Sequence, residues 1–296
     1  MPRIGSAVRS STRLPPEVID IIIEYHRLDR RTIASCSLVS KKWRNSARCH
    51  LFSELTLSWK KDTWSLHEFV QSAPTLIPFV RTLRLGYLPH AMWYGETLAR
   101  AIPLLAYFKN LKSLSLRHFT CLVPNTQFNF TDHLATNSIV RLELINFAPT
   151  PLSQLCQLIS SFPDLRTLVL HSMTRHQHGY EWEGGDDQLQ KLHLSRNLRA
   201  LELLLPPVNH LLRWVLSQEE KPALRSVYLN YTSVPSQDQH IMGNFLRVLG
   251  PSLEFVGWSL DSRFCACNQD PARDANFTLF FLSHGNFPTY RLELQH

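Results

Sequence analysis

A short phrase of alternating leucines returns along most of this chain, and its recurrence constrains the fold more than any other feature. It reads Val80-Arg-Thr-Leu-Arg-Leu85, Leu111-Lys-Ser-Leu-Ser-Leu116, Ile139-Val-Arg-Leu-Glu-Leu144, Leu165-Arg-Thr-Leu-Val-Leu170, Leu198-Arg-Ala-Leu-Glu-Leu203 and Leu224-Arg-Ser-Val-Tyr-Leu229. Leu253-Glu-Phe-Val-Gly-Trp258 is a weaker copy, and Phe52-Ser-Glu-Leu-Thr-Leu57 fits as an earlier one. From Val80 onward successive copies begin 31, 28, 26, 33, 26 and 29 residues apart. Strict alternation sends the leucines to one side of an extended strand and the intervening residues to the other.

Between the phrases the apolar spacing changes to that of a helix: Leu66, Phe69 and Val70; Leu98, Ile102 and Leu105; Leu155, Leu158 and Ile159; Leu211, Leu212 and Val215; Ile241, Phe245 and Leu246. Pro74, Pro163, Pro222 and Pro251 stand ahead of four phrases, where they end a helix and release the chain into an extended form. The unit is therefore strand plus helix. Such units cannot bury their apolar faces singly, so they stack, with a parallel strand layer along one side. The period lies at and slightly above that of leucine-rich repeats, about 20–29 residues, and residues 53–296 resemble an irregular leucine-rich-repeat region. The resemblance implies an α/β solenoid. The Asn that usually closes the repeat is absent, its positions being held by Leu88, Phe119, Phe147, Met173, Pro206, Thr232 and Asp261. Apolar packing is then expected to hold the turns in place of an Asn ladder. Two ordinary sequential domains are the alternative arrangement for this region.

If the leucines at the fourth and sixth positions face the core, the third, fifth and seventh positions share the opposite face. That places Arg84, Ser115, Arg117, Arg141, Glu143, Val169, His171, Glu202, Tyr228, Asn230 and Phe255 on one surface. Mixed charge with Val169, Tyr228 and Phe255 as apolar anchors is the makeup of a recognition patch. The loop from His171 to Asp187 is expected at its edge, and a covering by helices or by the tail from Pro288 to His296 is the competing expectation.

The amino end has a different grammar. Val18, Ile19, Ile22 and Ile23 recur at helical spacing after Leu14-Pro15-Pro16, and proline is at home in a first helical turn, where its missing N–H costs nothing. A charged break from Arg27 to Arg31 follows, and then Ile33, Cys36, Leu38 and Val39 run into Lys41, Lys42 and Trp43. Three short helices fit. A unit this small leaves much apolar surface uncovered and is expected to dock onto something.

Leu14-Pro15, Glu17, Ile22, Cys36-Ser37-Leu38-Val39, Lys41, Trp43 and His50-Leu51-Phe52 together resemble an F-box, in the order and over the length usual for that family, and especially the F-boxes at the amino end of many fungal proteins. His26 and Ser40 depart from it, standing where the family usually has Leu and Cys. The resemblance implies docking to a small acidic Skp-type adaptor, and through it to a cullin, with Leu14, Pro15, Val18, Ile22, Leu38, Val39 and Trp43 in the contact surface. It also implies a division into a flexible amino end (1–12), an F-box (13–52) and a leucine-rich-repeat-like recognition domain (53–296) that holds a protein client for ubiquitination. An adaptor-bound scaffold or regulator that does not drive degradation is the alternative role.

Charge separates the two regions. The chain carries +7 overall, and its first 60 residues hold 11 basic against 5 acidic groups, leaving 20 against 19 beyond. A near-neutral body predicts no basic stripe of the kind nucleic acid requires, whereas a basic docking module suits an acidic adaptor. No phosphate-cradling glycine loop, Gly-x-Ser-x-Gly elbow, His-Glu-x-x-His helix or paired Cys-x-x-Cys is present, so no enzyme chemistry and no cofactor are expected. His171, His176 and His178 with Asp186 and Asp187 read as a solvated loop in preference to a metal site, and Cys265-Ala-Cys267 lacks a second ligand pair. The aromatic stretch from Tyr87 to Tyr94, with Trp93, suits a binding surface and packing between repeats equally. Apolar runs such as Phe280-Phe281-Leu282 are far too short to span a bilayer, and the amino end lacks a secretory apolar core. A cytoplasmic or nuclear location follows as the expectation, with the six cysteines reduced and read as small buried hydrophobes.

Overall fold

A computed structural model describes residues 14–59, 64–87, 96–118, 120–121, 138–146, 148–149, 152–171, 192–204, 208–231, 236–249, 252–260, 277–284 and 287–294. The chain divides into two compact units, Met1–Glu54 and Leu55–His296.

The first unit contains three helices: α1 (Pro16–Tyr25), α2 (Arg30–Cys36) and α3 (Lys41–Phe52). Each start has a local cause. Pro16 opens α1, whose first turn closes on the Pro15 carbonyl through the N–H groups of Val18 and Ile19 at 3.1 and 3.2 Å. Asp29 caps α2 by accepting from the N–H groups of Arg31 and Thr32 at 3.0 and 3.2 Å. Ser40 caps α3 by accepting from the Trp43 N–H at 3.4 Å. Ile19, Ile23, Ile33 and Ala47 make the small core, with Cys36, Trp43 and Leu51 packed against it.

The second unit is organised by a ten-stranded sheet whose strand order follows chain order. Its strands are β1 (Glu54–Trp59), β2 (Thr82–Tyr87), β3 (Ser113–Arg117), β5 (Arg141–Ile145), β7 (Thr167–His171), β8 (Ala200–Leu204), β9 (Ser226–Tyr231), β10 (Phe255–Leu260), β11 (Phe277–His284) and β12 (Phe287–Leu294). From β2 to β10 every neighbouring pair is parallel. The connections carry α4 (Trp64–Ser72), α5 (Glu96–Leu105), α6 (Leu152–Ser160), α7 (Val208–Ser217) and α8 (Ser236–Leu249), the helices expected from apolar spacing. A turn of 3-10 helix, Ile77–Phe79, intervenes between Pro74 and β2, so that proline ends α4 without leading directly into a strand.

Each leucine phrase falls into the same register. Leu83, Leu114, Leu142, Leu168, Leu201 and Val227 lie side by side on successive strands, as do Leu85, Leu116, Leu144, Leu170, Leu203 and Leu229. Both rows are buried, together with the first residue of every phrase from Val80 onward, and they pack on Ile102, Leu105, Leu155, Ile159, Leu212 and Phe245 of the helices. Truncating one such leucine to Ala should cost about 2–5 kcal/mol. At the strand entries, the carbonyl of each second phrase residue from Arg81 to Arg225 accepts two N–H groups from the next repeat. Arg81 O, for example, receives Lys112 N at 2.7 Å and Ser113 N at 3.0 Å, and Arg199 O receives Arg225 N at 2.7 Å and Ser226 N at 3.0 Å.

Two expectations need correction. The turns after the strands are held by backbone hydrogen bonds as well as by apolar packing: His118 N–H donates to Ile145 O and Asn146 N–H to His171 O, both at 2.8 Å. The two-residue strands β4 (Thr120–Cys121) and β6 (Ala148–Pro149) pair in parallel just beyond, so a ladder forms without the closing Asn. The tail is no cover for the sheet face either, because β12 pairs antiparallel with β11, which pairs with β10, and so continues the sheet at its edge.

Candidate functional site

Helix α1 carries apolar residues around more than half of its circumference. Ile19 and Ile23 point into the core, whereas Val18, Ile21 and Tyr25 fall on an adjoining face and are 37%, 68% and 85% exposed. Leu14 lies just ahead of the helix and is 46% exposed, and Ile22 is half-buried at the border of the two faces. The turn after α2 presents Leu38 and Val39, 80% and 65% exposed, and Leu28 before α2 is 91% exposed. Large apolar groups are scattered singly on most surfaces, but here seven of the nine strongly exposed ones among the described residues lie between Leu14 and Val39.

Of the residues expected to meet an adaptor, Leu14, Pro15, Val18, Leu38 and Val39 are thus exposed, Ile22 is half-buried and Trp43 is half-buried against the unit's own core. Ile21, Tyr25 and Leu28 were missed by the sequence reading, although the solvent face of α1 was recoverable from the spacing of Val18, Ile21 and Tyr25. Polar contacts tie down the surroundings. Arg30 donates to the Leu51 carbonyl at 3.1 Å, Ser46 bonds Asp20, and Glu24 lies 3.3 Å from Arg27 and 3.2 Å from His50 Nδ1. Thr32 Oγ1–H donates to Asp29 Oδ2 at 2.6 Å, and this bond, with the two capping N–H groups, holds the Asp29 carboxyl below the usual range. Lys41, Lys42 and Arg44 are exposed at the start of α3, and Arg48 is half-buried.

On the second unit, the sheet face opposite the leucines has three rows. Arg84, Ser115, Glu143, Val169, Glu202, Tyr228 and Gly257 stand side by side in the middle row. Arg141 and Phe255 belong to the row on the strand-entry side, and Arg117, His171 and Asn230 to the row on the exit side. Alternation had put all of these on one face, and the register sets them in these three rows. Their exposure differs from expectation in two places. Val169 is only 4% exposed and Ser115 only 1%, so neither is an anchor open to solvent. Both are short and stand between longer neighbours in register: Val169 between Glu143 and Glu202, Ser115 between Arg84 and Glu143. Arg117 also folds back, its Nε donating to Ser115 Oγ at 3.3 Å while its Nη2 lies 3.8 Å from Glu143.

Tyr228 and Phe255 are half-buried, and a glycine makes room for them. A Cβ placed on Gly257 would stand 2.5 Å from Tyr228 Cδ2 and 3.0 Å from Phe255 Cε1, so both rings lie over Gly257. His171 Nδ1 is buried without a hydrogen-bond partner among the described residues. His176, His178, Asp186, Asp187, Cys265, Cys267 and Trp93 lie outside the described residues, and no metal-binding cluster occurs among those described. Cys156 is buried, and burial pushes its thiol well up, whereas Cys49 is exposed, against the expectation of buried cysteines throughout.

A further correction concerns charge. The near-neutral count of the body predicts no basic stripe, but stacking makes one. The second phrase residues Arg81, Lys112, Arg166, Arg199 and Arg225 are all exposed at strand entries, interrupted only by Val140 at the entry of β5, where Arg141 follows it.

No described helix is long and apolar enough to cross a membrane. No curated protein matches the chain. A crystal structure of a Bacteroides fragilis protein, a target of the Northeast Structural Genomics Consortium, aligns with 68% of this chain and 66% of its own at 12% identity and a TM-score of 0.39, so the chain spans a little under two thirds of that protein's length. Residues 11–58 match the F-box-like family model, and the three-helix unit is accordingly an F-box-like domain, of a kind that typically binds Skp-type adaptors of ubiquitin ligases.

Proposed function

We propose that this protein is a substrate-recognition subunit of a Skp/cullin/F-box ubiquitin ligase and is not itself catalytic. The observation that carries the reading is the exposed apolar set of the F-box-like domain, Leu14, Val18, Leu38 and Val39 above all, which is costly to leave in water and suits a partner helix or groove. Pro15, Ile22 and Trp43 complete the adaptor contact by this reading. The second unit is read as an irregular leucine-rich-repeat solenoid of the sort that follows F-boxes in fungal proteins. Its in-register strands and monotonic strand order support that.

The client is proposed to bind the sheet face through Arg84, Arg117, Arg141, Glu143, His171, Glu202, Tyr228 and Phe255, with Val169 as floor. Catalysis would then come from proximity, since holding a client lysine near the charged conjugating enzyme replaces a bimolecular encounter with an oriented one. Tagged protein, purified from cells with the proteasome blocked, tests this. The expected result is co-purification of adaptor and cullin together with ubiquitinated partners. Adaptor without cullin or ubiquitinated partners would instead establish a scaffold or regulator, and absence of the adaptor would refute the reading outright.

A further inference from the structure

The exposed basic residues at the strand entries are placed by the backbone and not by chance. Each second phrase residue has its carbonyl clamped by two N–H groups of the following repeat, with Lys112 N to Arg81 O at 2.7 Å, Arg199 N to Arg166 O at 2.9 Å and Arg225 N to Arg199 O at 2.7 Å. These positions are therefore locked at the spacing of neighbouring strands, about 4.8 Å. From β2 to β9 the column Arg81, Lys112, Arg166, Arg199 and Arg225, interrupted at the β5 repeat by Val140, spans five strand intervals, or roughly 24 Å at that spacing.

Like charges directly beside one another on adjacent extended segments oppose folding, and Arg166, Arg199 and Arg225 stand so, one residue ahead of three adjoining strands, β7, β8 and β9. Relief is sparse among the described residues. Arg225 has Glu254 at 3.4 Å, and Lys112 has only the Ser138 hydroxyl, while Arg81, Arg166 and Arg199 make no ion pair there. Such an arrangement costs stability without serving the fold, as surfaces kept for binding do.

We infer that this column binds an acidic, extended peptide segment. This rests on the proposed role as a client receptor and gives the client a chemistry: a run of about seven or eight residues rich in Asp and Glu, whose extended length at about 3.3 Å per residue matches the column. Peptide is favoured over nucleic acid because the column is not continuous: Val140 holds the second position of the β5 repeat, and exposed Glu254 holds that of the β10 repeat beside Arg225 and would repel a continuous phosphate backbone.

Anisotropy of a fluorescein-labelled octaglutamate peptide titrated with the full-length protein tests the column directly. Binding should weaken severalfold between 50 and 200 mM salt. The double variants Arg166→Glu/Arg199→Glu and Arg166→Gln/Arg199→Gln should weaken it at least tenfold, while Arg213→Glu, exposed on α7, should leave it unchanged. The Gln variant should melt no lower than wild type, since it removes repulsion; a lower melting temperature would mark the arginines as structural and overturn the inference. So would unchanged binding in both variants, no binding of octaglutamate at 50 mM salt, or tighter binding of an oligothymidylate of equal length. Adaptor co-purification measured on the same variants keeps the two readings apart: adaptor without peptide binding sinks the column alone, and peptide binding without adaptor sinks the ligase role.

Discussion

Asn146 Nδ2 lies 3.3 Å from His118 Nδ1, and the two residues, 28 apart in sequence, both hold positive φ, 49° at Asn146 and 58° at His118. They occupy the eighth position of consecutive repeats, where the chain leaves the strand and reverses. In this conformation an ordinary side chain crowds the backbone, and Asn tolerates it better than most. The backbone N–H of each donates to the next repeat, so the strained residue is also the one that carries the turn ladder.

Replacing Asn146 therefore separates backbone strain from side-chain bonding. Asn146→Val should lower stability by about 1–2 kcal/mol, the cost of a left-handed β-branched residue, whereas Asn146→Gly should lie within about 0.5 kcal/mol of wild type because its freer backbone offsets the lost contact. Urea denaturation of the two variants checks this. Equal losses would mean that the amide contact with His118, and not the backbone, sets the cost.

Acid should act through His118. Partial burial, and then the positive charge of the neighbouring Arg117, lower its pKa below the ordinary 6.5. The unfolded chain then binds the proton more readily than the folded one, so stability rises with pH across this window. The contribution is complete above about 6.5 and is lost as pH falls through the lower folded value. His118→Asn should flatten the dependence of melting temperature on pH between about 5 and 7 relative to wild type. Parallel curves for the two proteins would contradict this assignment.

How much of this was legible in advance depended on where the information lies. The leucine register was legible because the first, fourth and sixth phrase positions all need the same core, and a one-residue slip would expose every leucine. The turn ladder was not, because it depends on backbone angle and backbone N–H groups at positions whose side chains, His118 and Asn146, share no pattern. Ile21 and Tyr25 were overlooked for a different reason: Ile19 and Ile23 already marked a buried face, and the second apolar face that Val18, Ile21 and Tyr25 outline by their spacing is demanded by no core. The basic column escaped because a charge count ignores stacking. Acidic groups elsewhere cancel Arg166, Arg199 and Arg225 in the sum but not in space.

Gly257 should be intolerant of even one methyl group. A Cβ at 2.5 Å from Tyr228 Cδ2 is too close to exist unmoved, and the ring atom it meets is near the stem of the side chain. Gly257→Ala should destabilise by about 1–3 kcal/mol through overpacking. Tyr228→Ala in the same chain should return much of that loss, giving a coupling energy well above the few tenths expected of independent sites. Additive losses in the cycle would show that the tyrosine is not the obstacle.

The exposed and buried apolar residues of the F-box-like domain should respond oppositely to the same change. Leu38 and Val39 are 80% and 65% exposed, so Leu38→Asp/Val39→Asp removes apolar surface from water without opening the core and should leave helicity and melting essentially as they were. Ile33 is 1% exposed in a core of four buried side chains among the described residues, and an aspartate there is a buried charge with no partner. Ile33→Asp should therefore unfold this unit, seen as loss of helical circular dichroism and protease resistance at residues 14–52. Both variants should lose the adaptor in co-purification, one with its domain intact and the other without it. Adaptor retention by the folded Leu38→Asp/Val39→Asp protein would move the contact away from this turn, leaving Leu14, Val18, Ile21 and Tyr25 on α1 as the surface to substitute next.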